Sequence, residues 1–290
     1  MPSPNAHWIS WTAADAKACI RWPEATDHKY TRGVLGVVTG SYHYPGAAVL
    51  STAAALATGV GMVRYYPTAQ LASLVLQRSP EVVIAPGPVN AWLLGSGVPS
   101  PGGLSIRNGM RHRQMKCARQ HPAPTVLDAG ALYLAGTLNA PTLITPHAGE
   151  LASLLQSRGV STSAQAIAAE PHAWVVRAHQ ALGVTVLLKG TRTVVAGPGV
   201  AVELPAATPW LATAGTGDVL AGIVGALVAS RYAELDGKPA LLAHLAATAS
   251  YLHATAATLA SKGAPLTATS LIHVLNEAVR QVLNEHHNLP

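Results

Sequence analysis

Apolar residues in this chain come in short continuous runs, each closed by glycine or proline and followed by a stretch of helical period. Residues 33–40 read as a buried strand ending on glycine, 41–46 as a turn-rich loop and 47–58 as an alanine-rich helix stopped by Gly59 and Gly61. The unit then repeats. Strands are predicted over 62–66, 81–85, 91–94, 125–128, 142–145 and 184–189, with helices over 69–77, 107–120, 149–158 and 172–182. A short helix follows Asp128, and 99–103 is a Pro/Gly loop. Residues 192–196 and 201–204 form a hairpin around Gly197-Pro198-Gly199. A buried helix runs over 218–230, and helices over 240–259 and 270–283 close the chain. Residues 1–26 read as an irregular N-terminal extension to a single domain over 1–290. Alternating strands and helices predict an α/β fold, a mostly parallel sheet with helices on both faces. Ligands in such sheets bind at the carboxyl ends of the strands, where the glycine loops fall.

Composition narrows the picture. Of 290 residues, 49% are hydrophobic and 11% charged, which excludes a disordered chain. The net charge of +6 is scattered. The densest basic cluster, Arg111-His112-Arg113-Gln114-Met115-Lys116, lacks interleaved aromatics and reads as a solvated helix face, so no nucleic-acid partner is expected. Cys19 and Cys117 show no metal or redox spacing and fit a reducing compartment. The N-terminus has no continuous apolar stretch, and the apolar run 219–229 is too short to span a bilayer. The expectation is a cytoplasmic protein with no membrane partner.

Five segments carry candidate chemistry. In Thr213-Ala-Gly-Thr-Gly-Asp218 the glycines allow close backbone approach to a phosphate, and the helix behind them favours an anion. Gly215, Thr216 and Gly217 thus form an anion hole. Asp218 is either the helix N-cap or a group orienting a hydroxyl, its basicity lowered by the helix terminus. Lys189-Gly190-Thr191-Arg192-Thr193 offers a cation, a flexible glycine and hydroxyls at a strand end. In Thr145-Pro-His-Ala-Gly-Glu150, His147 can donate to a substrate amide or phosphate, or serve structure alone. Glu150 can hold Mg²⁺ through water, or simply favour the helix dipole. Thr39-Gly40-Ser41 with Gly46-Ala47 reads either as ordinary helix–sheet packing or as close backbone approach to a planar ligand, and Gly95-Ser96-Gly97 is a fifth segment that says little by itself. No GxxxxGK[ST], dinucleotide fingerprint or nucleophile elbow is present.

Taken in order, these segments resemble the ADP/ATP-dependent NAD(P)H-hydrate dehydratases of the ribokinase-like superfamily. The likeness rests on His28-Lys29, Gly40-Ser41 with Gly46-Ala47, Gly95-Ser-Gly97, Val126-Leu-Asp-Ala-Gly-Ala-Leu132, Thr145-Pro-His-Ala-Gly-Glu150, Leu188-Lys-Gly-Thr191 and Ala214-Gly-Thr-Gly-Asp218. It implies a three-layer α/β/α sandwich. It further implies phosphorylation of the ring hydroxyl of hydrated NADH or NADPH by ADP or ATP, then loss of phosphate to restore NAD(P)H. Carried over by position, Ala47, Gly97, His147 and Asp218 contact the hydrated dinucleotide, with Asp218 as base. Lys189, Gly190, Thr191, Arg192, Thr193 and Gly217 contact the adenine nucleotide. Mg²⁺, a homo-oligomer and a separate epimerase as functional partner are also implied. Departures from the family pattern are Tyr30, Val98-Pro99, Gly130 and Ala214. The alternatives are a superfamily kinase for a vitamin precursor or sugar alcohol, and a non-catalytic nucleotide sensor.

Overall fold

Nine strands form one sheet in the order β1-β9-β8-β7-β6-β5-β4-β2-β3 in the computed structural model, which describes residues 8–101, 106–118, 120 and 122–284, without the side chains of 106–108 and 117. The strands are β1 (Trp8–Ser10), β2 (Val34–Val38), β3 (Met62–Tyr65), β4 (Ala91–Leu94), β5 (Thr125–Leu127), β6 (Thr142–Ile144), β7 (Thr185–Leu188), β8 (Val194–Gly197) and β9 (Val200–Glu203). β8 runs antiparallel to both neighbours, and every other pairing is parallel. Crossover connections therefore bring the carboxyl ends of β2, β4, β5, β6 and β7 to one edge.

The ten helices of the described residues are α1 (Ala13–Cys19), α2 (Pro45–Thr58), α3 (Ala69–Arg78), α4 (Ile106–Ala118), α5 (Ala148–Ser157), α6 (Ala164–Ala169), α7 (Pro171–Leu182), α8 (Thr216–Ser230), α9 (Leu241–Ser261) and α10 (Ala268–Asn284). Their ends follow from the chain. Proline opens α2 and α7, and left-handed Gly59 and Gly183 close them. α8 is apolar on nearly every side because it packs on β2, β4 and β5 beneath and on α2 and α9 beside it. A Cβ on Gly222 would sit 2.4 Å from the Ser51 carbonyl oxygen, so glycine there permits the α2–α8 approach. One apolar core lies between this face and α1, α2, α3, α8, α9 and α10, and a second between the other face and α4, α5 and α7. The sandwich has the three layers expected, and β2 is buried throughout because both its faces are covered.

Three expectations need correction. Residues 8–19 of the supposedly irregular extension are ordered structure. β1 adds to the sheet edge beside β9, and Thr12 and Asp15 form a capping box that starts α1. Over 81–85 no strand forms; only Val83 bridges to Arg64, because Pro86 and Pro88 prevent a ladder. Arg111 is not on a solvated face: its side chain is 1% exposed. The helix α6, capped by the Ser163 hydroxyl, was not foreseen at all. Part of the 99–103 loop and the Cys117 side chain lie outside the described residues. No helix among those residues is long and apolar enough to cross a membrane.

Candidate active site

Four strand ends and one helix start converge on a buried carboxylate. Asp128 follows β5 directly and is 3% exposed. Its Oδ2 accepts from the Ser96 hydroxyl after β4 (2.8 Å). Its Oδ1 accepts from the Thr145 hydroxyl after β6 (2.8 Å) and from Lys189 Nζ after β7 (3.1 Å). Three donors, following β4 on one side of β5 and β6 and β7 on the other, fix one carboxyl group, as a buried charge requires. The Lys189 ammonium also lies 3.9 Å from Glu150 Oε2. Burial alone lowers its pKa, but Asp128, Glu150 and Asp218 outweigh burial and raise it.

Gly215 caps α8 in the left-handed conformation (φ +89°), and a Cβ there would lie 2.7 Å from Leu50 Cδ1. Asp218 is consequently in the first turn and is not the N-cap. The Thr216 hydroxyl donates to the Leu211 and Thr213 carbonyls (both 2.9 Å) and ties the preceding loop to the helix. A Cβ on Gly217 would be 3.6 Å from Lys189 Nζ, so the ammonium stands against the open N-terminus of α8. The Asp218 carboxyl is pushed up to about 7, first by burial and then by the Asp128 charge, against the pull of Lys189. This reverses the expected effect of the helix terminus.

His147 and Glu150 partly take their structural reading. His147 is the N-cap of α5, its Nδ1 accepting from the Gly149 and Glu150 amides (3.1 and 3.3 Å). Glu150 Oε2 accepts in return from the His147 amide (2.9 Å). The ring, whose Nε2 lies 3.5 Å from Glu150 Oε2, is largely exposed and borders a cavity of about 550 Å³. That cavity is lined by Lys189, Gly190, Thr191, Thr193, Thr216 and Gly217 on one side, and by residues 205–212 and α9 on the other. Its size suits one nucleotide. Arg192 does not line it; its guanidinium pairs with Glu203 instead. A larger apolar hollow of about 790 Å³ beneath α4 contains none of these residues.

Ala47, at the start of α2, and Gly97, in the loop after β4, lie against one another. A Cβ on Gly97 (φ +65°) would sit 2.3 Å from Ala47 Cβ. The Gly40 amide donates to the Ser96 carbonyl (2.7 Å), joining both glycine loops. Two of the departures explain one another. A Cβ on Gly130 would lie 1.9 Å from the Val98 carbonyl oxygen, so the Val98-Pro99 backbone occupies the space a larger residue would need. Sequence reasoning missed Asp128 as the hub and His253 as a cavity wall. Burial holds the His253 imidazole uncharged, down to about 4, against a hydrogen bond to the Thr216 backbone. A carboxylate at the carboxyl end of a parallel strand was the available signal for Asp128.

Comparison with known proteins agrees with the architecture. The chain aligns over 97% of its length, with a TM-score of 0.79 and 23% identity, with all of the ADP/ATP-dependent NAD(P)H-hydrate dehydratase of Bacillus subtilis, co-crystallized with ATP/Mg²⁺. It aligns over 94% of its length with 95% of a ribokinase-like superfamily protein of Enterococcus faecalis, at a TM-score of 0.77 and 22% identity. The fold is ribokinase-like. At the level of sequence, the family model for NAD(P)H-hydrate dehydratase matches residues 35–278, and the chain belongs to that family. It is 42% identical over 237 residues to the bifunctional NAD(P)H-hydrate repair enzyme Nnr of Mycobacterium tuberculosis, covering 77% of this chain and 46% of the relative. It is 32% identical over 277 residues to the ADP-dependent (S)-NAD(P)H-hydrate dehydratase of Neisseria meningitidis, covering 89% and 87%. The chain spans about half the length of the bifunctional relatives it matches.

Proposed function

We propose that this chain dehydrates hydrated NADH or NADPH at the expense of ADP or ATP. The observation that carries the reading is a carboxyl group tuned to about 7 in the first turn of a helix whose N-terminus faces a lysine and a nucleotide-sized cavity. The nucleotide lies in the cavity with its phosphates toward Lys189, Gly190, Thr191, Thr193 and the N-terminal turn of α8 at Gly215, Thr216 and Gly217, where the Gly217 amide is a donor and the Thr216 amide is already given to the Thr213 carbonyl. The hydrated ring enters across α8, between Ala47, Gly97 and His147. Asp218 takes the proton of the ring hydroxyl as its oxygen attacks the terminal phosphoryl group, and the bond to the leaving nucleotide breaks. Phosphate is then expelled by the ring-nitrogen lone pair, and loss of a ring proton restores the reduced nicotinamide. A base near 7 is half ionised at neutral pH, which suits it to this transfer.

The donor set bears on magnesium. Among the described residues no cluster of three or more metal-ligating side chains exists. With all groups ionised, Asp128, Glu150, Asp218 and Lys189 together carry −2. A polyphosphate approaching such a site calls for countercharge, and Mg²⁺ is usually bound through one or two carboxylates and substrate phosphates. These residues fit an ion that arrives with the nucleotide, Glu150 meeting it through water; when bound, it neutralises phosphate charge. A homo-oligomer and an epimerase acting on the other hydrate epimer complete the proposed setting.

The test is an assay of hydrated NADH with ADP or ATP, following return of the reduced-ring absorbance. Recovery that falls more than about a hundredfold in Asp218→Asn supports the reading. No recovery with either nucleotide sinks it, and phosphorylation of an unrelated alcohol would put the chain among the superfamily kinases.

A further inference from the structure

The basic cluster in α4 holds a group that the chemistry above does not use. Arg111 is almost wholly buried, and no carboxylate among the described residues pairs with it. Its donors go to backbone carbonyls instead. Nε donates to Gly40 (3.0 Å), Nη1 to Tyr66 (2.6 Å), and Nη2 to Thr39. Nη1 also donates to Gln114 Oε1 (2.6 Å), and Gln114 Nε2 in turn donates to the Pro67 carbonyl (3.1 Å). The Tyr65 hydroxyl reinforces the Thr39 carbonyl (2.8 Å).

A fully buried ion without a counter-ion is a costly arrangement, tolerated only when its hydrogen bonds are complete. Here the planar fork spans the carboxyl ends of β2 and β3 at once, which a lysine point charge cannot reproduce. Thr39 and Gly40 open the loop that leads to Ala47. Gly40 donates its amide to Ser96, and Ser96 donates its hydroxyl to Asp128. A continuous chain of bonds therefore runs from Arg111 through both glycine loops to the central carboxylate. From Arg111 to Ser96 no member of this chain bonds to Lys189–Thr193; only its far end, Asp128, accepts from Lys189.

We propose that Arg111 is the positioning residue for the dinucleotide half of the site, setting the Gly40 and Gly95–Gly97 loops without touching substrate. The proposal rests on the substrate assignment made above. It requires that loss of Arg111 injure one substrate and spare the other. A merely structural arginine would weaken both together.

The experiment compares wild type, Arg111→Lys, Arg111→Ala and the milder Gln114→Ala in the intact chain. Each is read by the KM for hydrated NADH, the KM for the adenine nucleotide, and binding of NADPH followed by its fluorescence. Arg111→Lys should raise the hydrate KM by about tenfold or more and leave the nucleotide KM within about twofold, the split of a lost positioning contact. Gln114→Ala should shift the hydrate KM in the same direction by about two- to threefold. Millimolar methylguanidinium should partly restore NADPH binding to Arg111→Ala. Parallel rises in both KM values, a fall in kcat alone, or no selective effect in Gln114→Ala if the Arg111 variants do not fold, would overturn the proposal. Should the wild type show no dehydratase turnover, the functional reading fails by itself, and the NADPH titrations still decide whether Arg111 shapes a dinucleotide site.

Discussion

Asp218→Asn should stabilise this protein at alkaline pH while abolishing its turnover. The Asp218 pKa rises from an ordinary 3.8 to about 7 on folding. The folded state therefore binds that proton more tightly than the unfolded chain. The resulting stability is fully present below about 3.8 and is lost as pH rises through about 7. A gap of about 3 units at 1.36 kcal/mol each sets an upper limit of about 4 kcal/mol. Partial exposure of the carboxyl and relaxation around an ionised group reduce this to roughly 1–3 kcal/mol. Asparagine keeps the shape and carries no charge, so it escapes the penalty. For a chain of this size each kcal/mol corresponds to about 2–4 °C in melting temperature. Thermal melts of wild type and variant, without ligand, at pH 8.5 and pH 5 check the reasoning. The variant should melt several degrees above wild type at pH 8.5, with the gap shrinking markedly at pH 5. A variant less stable than wild type by the same margin at both pH values would refute the claim that Asp218 is held above the carboxylate range.

Three further outcomes follow from the geometry. Asp128→Asn removes the like charge facing Asp218 and frees Lys189 to pair with it, and both effects lower the Asp218 pKa. The acidic limb of kcat/KM against pH should move about one unit to lower pH, the size of shift a nearby like charge produces; an unmoved limb would contradict it. Gly217→Ala places a methyl in ordinary contact with Lys189, so melting should barely change while the nucleotide KM rises about tenfold from the narrowed phosphate approach. Thr12→Ala breaks the capping box of α1, far from the chemistry. It should cost about 1 kcal/mol in denaturant unfolding with kcat and both KM values unchanged.

Much of the fold was legible because its signals are local. Glycine after each apolar run marks a strand end, and proline or a hydroxyl before a periodic stretch marks a helix start, so β2 with α2, β6 with α5, and α8 lie where the pattern puts them. The failures share a cause. β1 is three residues long and exists only because β9 offers it an edge, which no window of the sequence contains. Arg111 looked like surface because charged residues usually are; its burial depends on carbonyls more than 40 residues away, at Thr39, Gly40 and Tyr66. Of the residues expected to hold nucleotide, Lys189, Gly190, Thr191, Thr193, Thr216 and Gly217 gather around one cavity; Gly215 does not line it, nor does Arg192, whose partner Glu203 sits on the other strand of the hairpin.

The basicity of Asp218 shows why such a site resists reading one element at a time. Its own helix predicts a depressed pKa, since a carboxylate in the first turn gains about 0.3–1 kcal/mol, less than one pKa unit. Burial and a second buried carboxylate act the other way and are worth several units together. These stronger influences win, and they come from outside the helix: Asp128 is on the carboxyl end of β5, and α2 packs along α8. Lys189 could have cancelled the rise. It does not, because its ammonium is hydrogen-bonded to Asp128 and shared with Glu150, leaving Asp218 only a residual attraction. The lysine that most plainly marks the segment as anion-binding is thus held away from the base, and a carboxyl group that the local chain would make a poor proton acceptor becomes a competent one near neutral pH.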